Sequence, residues 1–250
     1  MKIAVIGASG AMGSRISSRL HQNGLEVIAA SKATGIDVLT GDGLASALKG
    51  CDALIDVTNS GAFGESDPLG FFKRTGRNLL DAAKAAGIRH YAVLSVVGTD
   101  RLVENDYFRA KLVQENLVRS SGLAYTVVRS TQFFEFFSGI LDSAANDGKL
   151  QLPALRLRPV SADEAADHIT SIVCSAPKNA IVELGGPETI ELVDLARELL
   201  TATDDSRPIG LDRQARYFGV AVSSEGLLPA KAAITGRLSF HDWLSQTIAA

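Results

Sequence analysis

Cysteine is scarce in this 250-residue chain: Cys51 and Cys174 stand far apart and form no C-x-x-C pair. That usage excludes a disulfide scaffold and points to a reduced compartment. The four histidines, His21, His90, His168 and His241, are scattered singly, so no zinc site can be assembled from clustered ligands and no metal is expected. No charge of one sign dominates either: the net charge of −3 gives no case for binding nucleic acid or an acidic membrane surface. No apolar run approaches the length of a membrane span, and Met1 leads directly into the first predicted strand with no room for a signal peptide. A cytoplasmic protein is expected. Internal repeats, low-complexity tracts and separable linkers are missing too, so we expect a single domain over 1–250 with an ordinary apolar core.

Glycine is plentiful where it matters. Ile3 to Ile6 is an apolar run of strand length, and Gly7, Gly10 and Gly13 follow before a helical pattern that uses Ile16 and Leu20. Strand, glycine-rich turn and helix, in that order, form the context in which a glycine motif means dinucleotide binding. Gly7 allows a sharp turn, Gly10 lets backbone approach a pyrophosphate, and Gly13 permits close helix-to-strand packing. The helix start adds unbonded N–H groups and a positive dipole end. Gly7, Ser9, Gly10, Ala11, Met12 and Gly13 are therefore the first candidate cofactor-binding residues.

The second predicted strand, Glu26 to Ala30, ends in Ala30-Ser31-Lys32 without an acid. A carboxylate there would bind the ribose 2′-hydroxyl of NAD and repel a 2′-phosphate. Ser31 can donate to that phosphate and Lys32 can neutralise it, so NADP (NADPH) is the expected cofactor. Asp37 to Leu39 reads as a short third strand, and Asp42 after it either meets the adenine or serves a turn or helix cap. Ala53 to Val57 is an apolar fourth strand of the kind buried in parallel sheets, and Thr58-Asn59-Ser60-Gly61 forms a polar loop at its carboxyl end. Thr58 and Asn59 join the cofactor candidates, because ligands of open α/β sheets bind at that edge. A helix over Phe71 to Ala86, a fifth strand over Ala92 to Val97, a helix from about Tyr107 to Ser120 and a sixth strand over Ala124 to Arg129 follow. Six strands alternating with helices specify a doubly wound parallel sheet of Rossmann type, class α/β.

Tyr107 and Lys111 are four residues apart, so a helix places them on one face. A phenol has a pKa of about 10, and a neighbouring ammonium moves it down toward the range useful for proton transfer at neutral pH. Ser95, at the end of the fifth strand, is placed to hold the same substrate oxygen. The three suit carbonyl reduction, with Tyr107 giving the proton and Lys111 tuning the phenol while bonding the nicotinamide ribose.

Gly-x-x-Gly-x-x-Gly at 7–13, the run Thr75-Gly-Arg-Asn-Leu-Leu-Asp-Ala-Ala-Lys-Ala-Ala-Gly87, Leu94-Ser95 and Tyr107-x-x-x-Lys111 together resemble the short-chain dehydrogenase/reductase superfamily. The glycine spacing, the length and the run Val127-Val-Arg-Ser-Thr-Gln-Phe-Phe-Glu135 resemble its atypical NmrA-like branch of NAD(P)-binding proteins. The resemblance implies that Gly7, Gly10 and Gly13 bind the pyrophosphate, and that Ser95, Tyr107 and Lys111 match the catalytic triad. It also implies that Ser130 to Phe133 lines the nicotinamide pocket, which adds Ser130 and Thr131 to the cofactor set. The loop Val57-Thr58-Asn59-Ser60-Gly61 departs from the superfamily's Asn-Asn-Ala-Gly. In the NmrA-like branch the lysine commonly persists while the tyrosine is often lost, and some members resemble redox-sensing regulators or quinone reductases. The expectation is an NADPH-dependent oxidoreductase reducing a carbonyl or quinone-like small molecule, with a non-catalytic NADP-binding sensor as the alternative.

Beyond the sixth strand, Phe133, Phe134, Phe136 and Phe137 divide between core and pocket wall, and Gln132, Phe133 and Phe136 are the candidate substrate-binding residues. Ser161-Ala-Asp-Glu164 reads as a capping box opening a helix. Residues from about 131 onward are expected to contribute a small interwoven cap. The expected partner is a small-molecule substrate, with no nucleic acid and no membrane, in a monomer or homodimer.

Overall fold

The computed structural model describes residues 1–60 and 67–248; Gly61, the last residue of the predicted polar loop, lies outside them. In chain order the elements are β1 (Lys2–Ile6), α1 (Ala11–Gln22), β2 (Glu26–Ala30), α2 (Leu44–Leu48), β3 (Ala53–Asp56), α3 (Pro68–Ala86), β4 (His90–Val96), α4 (Asp106–Arg119) and β5 (Tyr125–Ser130). There follow α5 (Phe137–Ser143), β6 (Ala145–Asn146), β7 (Lys149–Leu152), β8 (Arg156–Leu157), α6 (Ala162–Val173), β9 (Ala180–Gly185), β10 (Ile190–Glu191), α7 (Leu192–Ala202), β11 (Ile209–Leu211), β12 (Ile234–Thr235) and α8 (Phe240–Ile248). A seven-stranded sheet has the order β12-β9-β5-β4-β3-β1-β2. β1 runs parallel to both β2 and β3, and β3 is parallel to β4. This is the Rossmann-like doubly wound class that the alternation of elements predicts.

The local reasons are plain. β1 is Lys-Ile-Ala-Val-Ile with its last four residues buried, as suits a central parallel strand. α1 buries Met12, Ile16 and Leu20, one stripe at a spacing of four. α3 begins three residues before its apolar pattern because Asp67 accepts the Gly70 N–H at 2.7 Å and Pro68 occupies the first turn. It ends at Gly87, whose φ of 71° satisfies the left-handed cap.

The predicted third strand is absent at 37–39: among the described residues, five strands, β1 to β5, precede residue 131. Asp37 folds its segment into a turn, with Oδ1 accepting from Leu39 N at 2.8 Å and its carbonyl accepting from Gly41 N at 2.8 Å. Asn78 on α3 donates to the carbonyls of Val38 and Leu39, both at 3.0 Å, in place of a neighbouring strand. A local Asx-type bond and one distant amide thus outcompete the ladder.

The chain divides into two compact units. The first comprises Met1–Ser95, Asp106–Arg129 and Ala166–Val182; the second comprises Val96–Asn105, Ser130–Ala165 and Glu183–Ala250. In the first, Ala4, Ile6, Leu54, Leu79, Ala83, Tyr91, Val93 and Val127 belong to one core cluster. In the second, Phe134 and Phe137 pack on Phe240, with Trp243 stacked on Phe240 at 5.6 Å between ring centroids. The predicted capping box at Ser161 is only half formed there. Ser161 Oγ accepts from Asp163 N at 3.2 Å, but the Glu164 carboxylate turns to the N–H groups of Arg237 and Leu238, and Glu135 takes the Ala162 N–H instead.

Candidate functional site

The end of β1 turns at Gly7, whose φ of 87° favours glycine. Its N–H and that of Ala8 both donate to Ala30 O, at 2.9 and 3.2 Å, tying the turn to the end of β2. A Cβ on Gly7 would lie 3.0 Å from Val57 O, so the turn also abuts the end of β3. Gly13 is the tightest point: a Cβ there would come within 2.1 Å of Gly7 O and 2.7 Å of Ala8 Cα, both backbone atoms. Gly10 is the N-cap of α1, brings no side-chain cap, and the first turn carries no acid. Ser9, Gly10 and Ala11 are exposed, whereas Met12 packs inward. A pyrophosphate fits this cradle: glycine backbone lets it approach, and the first N–H groups of the helix face it with no carboxylate to compete. Ala11, Met12 and Gly13 are the backbone donors that would hold it.

β3 ends in a fully buried carboxylate, Asp56. Its Oδ1 accepts from Thr58 N at 3.0 Å and Thr58 Oγ at 2.7 Å; its Oδ2 accepts from Tyr91 Oη at 3.0 Å and Gln114 Nε2 at 2.8 Å. Thr58 is buried and held by this group, while Asn59 is exposed and accepts the Ser60 N–H. Lys111, only 3% exposed, donates to Gln114 Oε1 at 2.5 Å and to Leu94 O at 2.8 Å, and its Nζ stands 4.8 Å from the centre of the Phe72 ring. Burial lowers its pKa to about 8, against the opposing pull of Asp56 and Glu115.

Ser95 is buried and donates to Glu115 Oε1 at 2.5 Å. Glu115, wholly buried, also takes both a 2.9 Å bond from Arg129 Nε and a 2.8 Å bond from Arg129 Nη2, a fork-to-fork pair. Tyr107 packs edge-on against Phe72 and Phe108. Its phenol shifts opposite to the direction the Tyr-x-x-x-Lys spacing predicts: burial raises its pKa to about 12. The Lys111 ammonium, meanwhile, is bonded to Leu94 O and Gln114 Oε1.

At the end of β2, Ser31 is half-buried and caps the short turn over 32–34. Lys32 is exposed, but an acid does stand beside it: Asp37 Oδ2 lies 3.8 Å from its Nζ. Asp42 is exposed and accepts from Thr40 Oγ within its turn. In the second unit, Ser130 and Gln132 are buried, and Ser130 Oγ and Gln132 Oε1 have no hydrogen-bond partner among the described residues. Thr131 Oγ donates to Arg158 O. Phe133 and the exposed Phe136 form an edge-on pair at 5.6 Å, while Phe134 and Phe137 are core.

The structure thus adds Asp56, Gln114, Glu115 and Arg129 to the residues the sequence singles out. Two had a signal: Gln114 and Glu115 follow Lys111 by three and four positions, on its own helix face. Asp56 had a weaker one, a lone acid closing an apolar strand. Among the described residues no group of three His, Cys, Asp or Glu is placed to hold a metal, and no helix is long and apolar enough to cross a membrane.

Residues 7–136 match the family model described as NAD(P)H-binding. Among curated proteins, the chain is 30% identical to photosystem II assembly factor Ycf39 of Cyanophora paradoxa over 56% of its own length and 48% of that protein's. It therefore spans about half of that relative. It is 26% identical to a Streptomyces griseus (4-alkanoyl-5-oxo-2,5-dihydrofuran-3-yl)methyl phosphate reductase, covering 90% of this chain and 80% of the other. Quinone oxidoreductase 2 of Escherichia coli is 27% identical over 90% of this chain and 82% of its own. The crystal structure of that oxidoreductase with NADPH superposes with a TM-score of 0.71 at 18% identity, covering 98% of this chain and 99% of that one.

Proposed function

Because the chain belongs to the NAD(P)H-binding family and has its Rossmann-like fold, we propose that it is an NADPH-dependent oxidoreductase that reduces a carbonyl or quinone-like small molecule, of the short-chain dehydrogenase/reductase type and its NmrA-like branch. The observation that carries this reading is the Gly7–Gly13 cradle, where a Cβ at Gly13 would strike backbone at 2.1 Å. Likeness to a reductase and to a quinone oxidoreductase, each over 90% of the chain, supports the reaction class. When bound, the dihydronicotinamide supplies a hydride. The chain's own part is to hold and orient: Gly7 to Gly13 take the pyrophosphate, Ser31 and Lys32 the 2′-phosphate, Thr58 and Asn59 the middle of the dinucleotide, and Lys111 the nicotinamide ribose. Ser130 and Thr131 are the proposed cofactor residues of the second unit, and Gln132, Phe133 and Phe136 its proposed substrate residues.

Tyr107, with a pKa near 12, keeps its proton at neutral pH and is a weak acid. Ser95 is committed to Glu115. Those two facts favour a quinone-like acceptor over a simple ketone, because hydride transfer to a quinone leaves a stabilised anion and leans less on an enzyme acid. The test is NADPH oxidation with a panel of quinones and ketones. Quinone turnover is expected, and Tyr107→Phe should change it by less than about tenfold while cutting any ketone reduction about a hundredfold or more. A chain that binds NADPH tightly and turns over no panel member is the redox sensor instead.

Cofactor preference has its own test. Lys32→Asp should raise the Kd for NADPH about tenfold or more relative to that for NADH, since an ammonium facing a phosphate is replaced by a carboxylate. If the ratio of the two constants does not move, Lys32 does not contact the 2′-phosphate.

A further inference from the structure

We propose that Asp56 and Gln114 are positioning residues for Lys111: the Gln114 amide relays the buried Asp56 carboxylate to the ammonium and pins it against the Leu94 carbonyl. Asp56 is wholly buried at the end of a strand whose other residues are Ala, Leu and Ile, a position where an uncompensated charge is strongly disfavoured. Its four donors, from Thr58, Tyr91 and Gln114, are all neutral. The cation it reaches is Lys111, one amide away. That amide has a single workable orientation, since its NH₂ must face the carboxylate at 2.8 Å and its oxygen must face the ammonium at 2.5 Å.

Among the described residues, this route is the hydrogen-bonded link of Lys111 to a carboxylate. From α3 it meets the face of Phe72, and from β4 the carbonyl of Leu94. On its own helix Glu115 pulls on it through space, but the Glu115 oxygens are bonded to Ser95 and to Arg129 of β5. Tyr107, one turn before it, is neutral below about pH 12. The same carboxylate also holds Thr58 through two bonds, so one buried group engages both Thr58, just after β3, and, through Gln114, the lysine of α4. The meaning of that coupling for catalysis rests on the function proposed above; the positioning of Lys111 does not.

The experiment therefore has an arm without cofactor. In the full chain labelled with ¹³C,¹⁵N-lysine, the Lys111 signal is assigned by its loss in Lys111→Met, and its titration is followed by NMR. The wild-type midpoint is expected at about 8. Gln114→Met, nearly isosteric but unable to relay, and Asp56→Asn, which removes the charge, should each lower it by about one pH unit or more. In a second arm, Gln114→Met should weaken NADPH binding about tenfold. A midpoint that stays in place in both variants overturns the positioning role. A midpoint that moves while the Kd for NADPH does not supports the positioning role and removes Lys111 from the proposed cofactor contacts.

Discussion

Gly13→Ala should destabilise the chain by about 3 kcal/mol and raise the Kd for NADPH at least about tenfold, with Gly13→Val worse on both counts. The added methyl has nowhere to go. Its nearest neighbours would be Gly7 O at 2.1 Å, Ala8 Cα at 2.7 Å and Gly7 C at 2.7 Å, all backbone of the turn itself. A side chain can swing away from such an intrusion, but here α1 as a whole must back off from the end of β1. That displacement moves the very N–H groups that would face the pyrophosphate. Gly10→Ala is the internal control for stability: among the described residues its methyl would meet only Gly7 O, at 3.3 Å. Urea unfolding and NADPH fluorescence titration on both variants check the pair. A Gly13→Ala chain as stable as the Gly10→Ala chain would show that close packing of the helix on the turn is not what requires glycine.

Arg129→Met is expected to cost about 3 to 5 kcal/mol, because it removes the cation bonded to the buried Glu115 carboxylate. Glu115 is 0% exposed and Arg129 7%, and the pair meets through two parallel bonds. The large loss belongs to the orphaned carboxylate and not to the bond as such. The double variant Glu115→Leu/Arg129→Met should therefore recover most of the stability, since two apolar side chains of similar bulk replace an ion pair with little net change. Chemical denaturation of the two singles and the double completes the cycle. Equal destabilisation of single and double variants would mean that the pair acts by packing. The double variant also removes the acceptor of Ser95, which frees its hydroxyl.

Legibility in the sequence followed the range of the interactions involved. The β1–turn–α1 unit was readable because its strand, glycine and helix signals lie within Met1 to Leu20, even though the turn is also tied to Ala30 O, and the helices were readable from their apolar stripes. The third strand misread because Asp37 bonds locally while Asn78, about forty positions away, takes the carbonyls that a strand would need. Tyr107 and Lys111 were found by spacing, yet the direction of the phenol's shift was wrong. Spacing gives proximity on a helix face; it does not tell that Leu94 and Gln114 engage the ammonium or that burial dominates the phenol. Asp56 was passed over for the same reason: its four donors arrive from Thr58, Tyr91 and Gln114, and only the first is near in sequence.

The missing third strand also bears on self-association. It leaves β2 as the outer strand of the sheet, and an outer strand offers its unpaired backbone groups as a template for another chain. Ala30 O faces β1, where it accepts from Gly7 and Ala8, so Ala29 O faces outward. Thr34 Oγ, from the turn that stands where a third strand would begin, donates to that outward oxygen at 3.1 Å. At the other end of β2, Glu26 pairs with Lys2 at 2.9 Å and keeps a charge on the rim. A five-residue edge, charged at one end and stoppered at the other, gives an incoming strand little length on which to zip.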